Sequence, residues 1–196
     1  GVLEHLHKKN FPYSIPQFMK NKKDEYILKI GKSLFEACPR ISGRKLVKLN
    51  DNGWKEMAKA MALYHKFIKD FKPYWFTKSL DNYTWMLGMY KKMSKAKPLE
   101  KVDKLMLNYL GFFTKLLKRL IAMSLNRDLL IAHGDFNYSN IIFLNGKING
   151  IIDFENLRYA PKTKDIATIM NSTVSHGKHF NLFIQEYKKY NKLSKE

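Results

Sequence analysis

Residues 129–153 constrain the fold more than any other stretch, because they set polar loops at the ends of short apolar runs. Leu129–Ala132 is one such run, and Ile141–Leu144 and Lys147–Asp153 flank the pair Asn145-Gly146. Both residues of an Asn-Gly pair tolerate positive φ, which a type I′ turn demands, so the segment predicts a β-hairpin. With a two-residue loop, Leu144 faces Lys147 and every facing pair sums to the same total. Asn140 then faces Ile151, and Asp153 faces Tyr138. That register predicts Asn140 and Asp153 on one face as diagonal neighbours, roughly 7–8 Å apart at the backbone. A slip of one residue would put them on opposite faces.

The loops carry the chemistry. His133-Gly134-Asp135-Phe136-Asn137-Tyr138-Ser139-Asn140 follows the first apolar run, and Ile151-Ile152-Asp153-Phe154-Glu155 closes the hairpin. Phosphoryl transfer needs a carboxylate that accepts or orients a hydroxyl proton, and oxygen ligands for the Mg²⁺ that bridges phosphates. Asp135, Asn140 and Asp153 are residues of those types in one frame. Each has a plainer reading on its own: Asp135 a loop carboxylate, Asn140 a turn cap, Asp153 a backbone partner. The apolar Ile151 and Ile152 before Asp153 argue for a buried strand, where a charge wants a partner such as a metal.

Elsewhere the pattern is mixed. Glu25–Ile30 and Ser33–Cys38 are strand-like around Gly31 and Lys32. The clearest helix is 53–71, with Trp54, Met57, Ala58, Met61, Tyr64, His65, Ile68 and Phe71 on one face, Asn50 or Asp51 as cap and Pro73 as stop. A second long helix, about Leu99–Met123, is apolar on nearly every side, which predicts a central buried helix. Residues 74–95 read as partly helical, and helices resume after Pro161 and near His176–Tyr190. His65 on its apolar face reads as a hydrogen-bonded core histidine. Tyr74, Trp75, Tyr83 and Trp85 read as core packing or as a substrate pocket.

The 196 residues carry 36 Lys+Arg against 17 Asp+Glu, a net charge of +19. The basic residues are scattered lysines rather than a compact tract, so they read as background, with no specific nucleic-acid site. No run of about 18 apolar residues offers a membrane span. Cys38 is the single cysteine, which excludes an internal disulfide and fits a reducing, cytoplasmic setting. His5, His7, His176 and His179 lack the company a metal site needs.

The stretches HGDFNYSN and IIDFE, with Pro161–Ala167 (PKTKDIA) downstream, resemble the aminoglycoside phosphotransferase, choline kinase and homoserine kinase superfamily. Phe11–Pro16 and Ala62-Leu63-Tyr64-His65 resemble two further motifs of that superfamily, in the right order. The resemblance implies an α+β, protein-kinase-like fold. Residues 1–38 would be the remnant of an N-terminal nucleotide-binding lobe, and 39–196 a mainly helical catalytic lobe. It implies Asp135 as catalytic base, Asn140 and Asp153 as ligands of Mg²⁺ and so of the nucleotide, and His133 as a brace of the loop. Asp165 would hold the loop by hydrogen bonds; as an Asp in a first helical turn it also suits the helix dipole. Glu36, Ala37 and Cys38 would meet the base of ATP or GTP through their backbone. Glu155 could touch a second metal or only solvent; Arg158 could reach a phosphate or substrate, with a solvated arginine as the plainer and favoured reading.

No Gly-rich turn or phosphate-gripping strand lysine of the superfamily is present; the glycines at 31, 43 and 53 are too far apart. The chain starts at Gly1, so a fragment cut at both ends, inactive alone, is expected. The function expected of the parent is transfer of a γ-phosphate to a hydroxyl of an amino alcohol, sugar or homoserine-like acceptor. An aminoglycoside acceptor and a catalytically weak pseudokinase are the alternatives.

Overall fold

The helix at the centre of the molecule shows why the core forms where it does. In the computed structural model, which describes residues 1–72, 80–95, 97, 100–124, 129–172 and 177–193, α2 runs from Asp51 to Ile68. Asn50 caps it, its side-chain oxygen accepting from Gly53 N at 2.9 Å, which satisfies an N–H that the first turn would leave free. Met57, Met61, Tyr64 and Ile68 are fully buried, and each such side chain contributes about 1.5–3 kcal/mol. Ala58, Ala60 and Ala62 are buried as well; their small size lets neighbours approach on more than one side. Those neighbours include α6 (Gly177–Tyr190), β3 (Leu129–Ala132), β5 (Lys147–Ile151) and α1 (Val2–Lys8). Val2, Leu6 and Ile15 belong to the same apolar cluster as α2.

Among the described residues, three two-stranded antiparallel sheets join these helices. β1 (Leu28–Ile30) pairs with β2 (Ser33–Phe35), both shorter than the apolar runs that contain them. β3 pairs with β6 (Arg158–Pro161), Ala132 opposite Arg158. β6 has no periodic signal of its own; it is a strand because β3 offers it an edge. β4 (Ile141–Leu144) pairs with β5 across Asn145-Gly146, with positive φ at both turn residues. Among the described residues, α3 (Leu80–Met93), α4 (Lys101–Ser124) and α5 (Thr163–Ser172) are the other α-helices.

Two expectations need correction. The constant register of the hairpin holds only for Leu144↔Lys147 and Phe143↔Ile148; a bulge then shifts the pairing to Ile142↔Gly150 and Ile141↔Ile151. Ile152 N accordingly donates to Asn140 O at 3.0 Å, so Asn140 lies opposite Ile152 and not Ile151. The shared-face argument from parity therefore fails. The cause is long-range. Gly150 lies against Ser14, and an added Cβ there would come within 2.9 Å of Ser14 O and 2.7 Å of Ile41. Bulges arise where a strand bends to fit a neighbour.

The second correction concerns α4, which is not a buried helix. Leu105, Met106, Tyr109, Phe112, Phe113 and Leu116 are all exposed, and of its described side chains only Leu110 and Leu117 are buried. All-round apolarity records what a helix can bury; the partners it meets decide what it does bury. Tyr74, Trp75 and the side chains of Tyr83 and Trp85, the aromatics suggested for a pocket, lie outside the described residues.

Candidate active site

β3 delivers the polar loop. Leu130, Ile131 and Ala132 are buried, and the chain then turns at Gly134, where φ is +82° and a Cβ would sit 2.0 Å from Asn156 O. Only glycine fits a backbone approached that closely. Asp165, in the first turn of α5, clasps this loop. Its Oδ2 accepts from His133 N at 2.9 Å and its Oδ1 from Gly134 N at 2.8 Å. Oδ2 also receives His65 Nε2 at 2.9 Å, and His65 Nδ1 meets the Tyr187 hydroxyl at 2.8 Å. His65, His133, Asp165 and Tyr187 are all buried. Burial alone would push the Asp165 carboxyl up; the His65 hydrogen bond and charge and the Gly134 N–H outweigh it and hold it below the usual carboxylate value. Asp165 therefore stays ionised. His65 is the hydrogen-bonded core histidine that its helix face suggested, and it also fixes the clasp.

His133 couples the loop to the end of the hairpin. Its Nε2 lies 3.1 Å from Ile152 O. A carbonyl only accepts, so Nε2 carries the proton. Burial pushes the imidazole pKa down against the pull of the Asp165 carboxylate, and the ring is neutral. Tyr64, Phe136 and Phe154 pack around it. Ile152 is thus held at both backbone groups, by Asn140 O and by His133. That double tether sets Asp153, the next residue, beside the loop despite the bulge.

Asp135 stands at the centre of the cluster. Asn137 Nδ2 donates to its Oδ1 at 2.7 Å, and Asn140 Nδ2 donates to its Oδ2 at 2.9 Å and to its carbonyl at 3.0 Å. Asn137 was not a sequence-level candidate. The signal for it was its place before a single turn: its side chain accepts from Ser139 N at 2.9 Å, capping the 3₁₀ turn Tyr138–Asn140 that carries Asn140 inward. With its amide nitrogen spent on Asp135, Asn140 keeps Oδ1 for another partner.

Asp153 adopts a left-handed conformation, φ 68° and ψ 61°, a strain of order 1–3 kcal/mol that surrounding structure must hold. It is exposed and, with Glu36, Phe154 and Glu155, lines a cavity of about 910 Å³ that also touches α1, Phe18 and Tyr26. Cys38 lines a second cavity of about 490 Å³, with Ile142 and Ile152 as apolar walls and Arg40 and Arg44 among its polar ones. Ala37 O accepts from Met19 N at 2.8 Å, so one of the three proposed hinge groups is already engaged within the chain. Asn140 Oδ1 and the Asp153 carboxylate are hard oxygen donors, the kind that Mg²⁺ takes when it shares its shell with phosphates. Arg158 is half-buried beside the loop, its Nε donating to Asn156 O at 3.1 Å.

The fold around this site is that of known aminoglycoside phosphotransferases. The structure superposes on an aminoglycoside phosphotransferase from Alicyclobacillus acidocaldarius with a TM-score of 0.67 and 16% identity, covering 96% of this chain and 62% of that one. Spectinomycin phosphotransferase APH(9)-Ia in complex with ADP and spectinomycin gives 0.61 at 14% identity, covering 100% and 64%. The GDP and kanamycin complex of APH(2")-IIia gives 0.67 at 16% identity, covering 95% and 64%. These likenesses establish the fold as the kinase-like one of aminoglycoside phosphotransferases; the chain spans less than two thirds of each of these proteins. No curated protein gives a sequence match. Among the described residues no helix is long and apolar enough to cross a membrane. The sequence matches the phosphotransferase enzyme family (APH) over residues 1–188, and the chain belongs to that family.

Proposed function

We propose that this chain carries the catalytic machinery of a nucleotide-dependent kinase that phosphorylates a hydroxyl of a small molecule. The observation that carries the reading is the Asp135 carboxylate, held by two asparagine amides on a loop clasped by a buried aspartate. An acceptor hydroxyl placed at Asp135 attacks the γ-phosphorus; the new O–P bond forms as the bond to the β-phosphate oxygen breaks. The hydroxyl proton passes to Asp135, and the nucleoside diphosphate leaves. Asn140 and Asp153 would hold Mg²⁺, which when bound neutralises charge on the phosphates. The cavity that Asp153 and Glu36 share suits the nucleotide, ATP or GTP, with Asp153 at the metal end and Glu36 of the expected hinge on its wall. The fold-mates bound to ADP and to GDP support nucleotide use. His133 and Asp165 act by holding the loop.

Residues 1–196 contain no Gly-rich turn and phosphate-gripping lysine of the family's kind, so this chain by itself should turn over slowly. The aminoglycoside reading rests on fold-mates bound to kanamycin and spectinomycin; the +19 charge opposes it. The test is Asp135→Asn in the protein supplemented with the phosphate-gripping elements. We expect kcat to fall by about 10²–10⁴, the usual worth of a placed general base, with nucleotide affinity nearly unchanged. Asp153→Asn should instead weaken Mg²⁺ binding, a defect that high Mg²⁺ relieves. Near wild-type turnover in Asp135→Asn would leave a binding-only pseudokinase as the better reading.

A further inference from the structure

Arg158, which the sequence left between a phosphate or substrate contact and a solvated arginine, stands beside the motif. Its backbone lies opposite Ala132, the last residue before the loop. Its Nε is fixed by Asn156 O and stands 3.2 Å from where a Cβ on Gly134 would be. Gly134 thus leaves room for an arginine against the residue that adjoins Asp135. Arg158 makes no ion pair and no other hydrogen bond among the described residues. Asp135 is held by two amides and Asp165 by three donors, and neither pairs with Arg158. A half-buried guanidinium with one edge bonded and the other N–H groups free is a fork suited to a carboxylate or phosphate.

We propose that Arg158 anchors an oxyanion on the acceptor, so that the substrate is a small compound bearing both a hydroxyl and a carboxylate or phosphate group. This rests on the kinase reading above and narrows its acceptor. The chain's charge of +19 favours approach of such an anion and opposes a polycation.

The experiment follows the Arg158 Nε–H signal by nitrogen-15 NMR in residues 1–196 with Mg²⁺ and ADP. The probes are glycerate, glycerol 3-phosphate, glycerol and kanamycin. We expect saturable shifts with one or both anions, at least 10-fold tighter than with glycerol, and the tighter anion tells carboxylate from phosphate. Arg158→Gln should lose that preference, Arg158→Lys should recover part of it, and Lys118→Gln, on the exposed side of α4, should change nothing. Equal loss in Lys118→Gln would mean a general field effect and overturn the proposal. So would kanamycin binding more tightly than both anions, or unaltered anion affinity in Arg158→Gln. ADP binding is read separately, by the nucleotide's own titration in the protein supplemented with the phosphate-gripping elements; its failure there would count against the kinase reading alone.

Discussion

Two hairpins of similar length and similarly apolar sequence meet opposite fates in this molecule. In β4–β5, Ile141, Ile142, Phe143, Ile148 and Ile151 are buried. Both flanks are occupied: Ser14 bonds along Gly150 on one side, Arg44 along Phe143 on the other. In β1–β2 every residue is exposed, with Leu34 at 66% and Ile30 at 59%. An isolated two-stranded hairpin is marginal in water; neighbours supply its stability. The difference teaches that the β4–β5 hairpin owes its shape to Ser14, Ile41 and Arg44, which lie far away in sequence. Those residues also impose the bulge that moves Asn140 and Asp153 out of simple register.

The sharpest way to break the comparison is to unclasp the buried side. Asp165→Ala removes the acceptor of three hydrogen bonds and strands His65. A loss of about 3–5 kcal/mol is expected, measured by denaturant melts. Hydrogen exchange should rise at His133 and Gly134 while β1–β2 stays as it was. A uniform rise across both hairpins would show that the two regions are one cooperative unit.

A matched pair of truncations sharpens it. Ile141→Ala, at a fully buried position, should cost about 2–5 kcal/mol. Leu34→Ala should stay within about 0.5 kcal/mol. Comparable losses would mean that β1–β2 is covered in solution.

The smallest effect is on pH dependence. The folded-state pKa of His133 lies below its ordinary 6.5, so the unfolded chain takes up that proton first. Stability should therefore fall as pH drops below about 6.5. Asp165 sits below its ordinary 3.8; its contribution is present above that value and is lost as pH falls through the lower folded-state pKa. His133→Gln keeps a donor for Ile152 but cannot titrate. Its melting temperature should show a shallower decline in the first window and the same decline in the second. An unchanged first window would show that His133 does not carry the slope.

Much of this was legible in the chain. Asn145-Gly146 announced the hairpin, the spacing of Met57, Met61, Tyr64 and Ile68 announced α2, and the motif around Asp135 announced the loop. What stayed hidden was non-local. β6 exists because β3 has a free edge. The bulge exists because Gly150 must clear Ser14. α4 is apolar enough to be buried, yet most of its apolar side chains described are exposed. The amide of Asn137 reached Asp135 through a turn too short to leave a periodic trace, and Arg158 came to Gly134 only through the β3–β6 register.

Gly134 carries a consequence for how such a chain can decay. No side chain fits at 134, because the first carbon would overlap the Asn156 carbonyl; the site is a requirement of the backbone and holds whether or not the protein reacts. Asp135, one position on, is exempt from that demand, since an asparagine there would fill the same space. A descendant released from selection for turnover would lose Asp135, with the asparagine amides it accepts, sooner than Gly134 and Asp165. An altered lineage would thus carry an intact clasp around a changed Asp135, and the two letters after His133 would record separately whether the backbone or the loop's carboxylate had been kept.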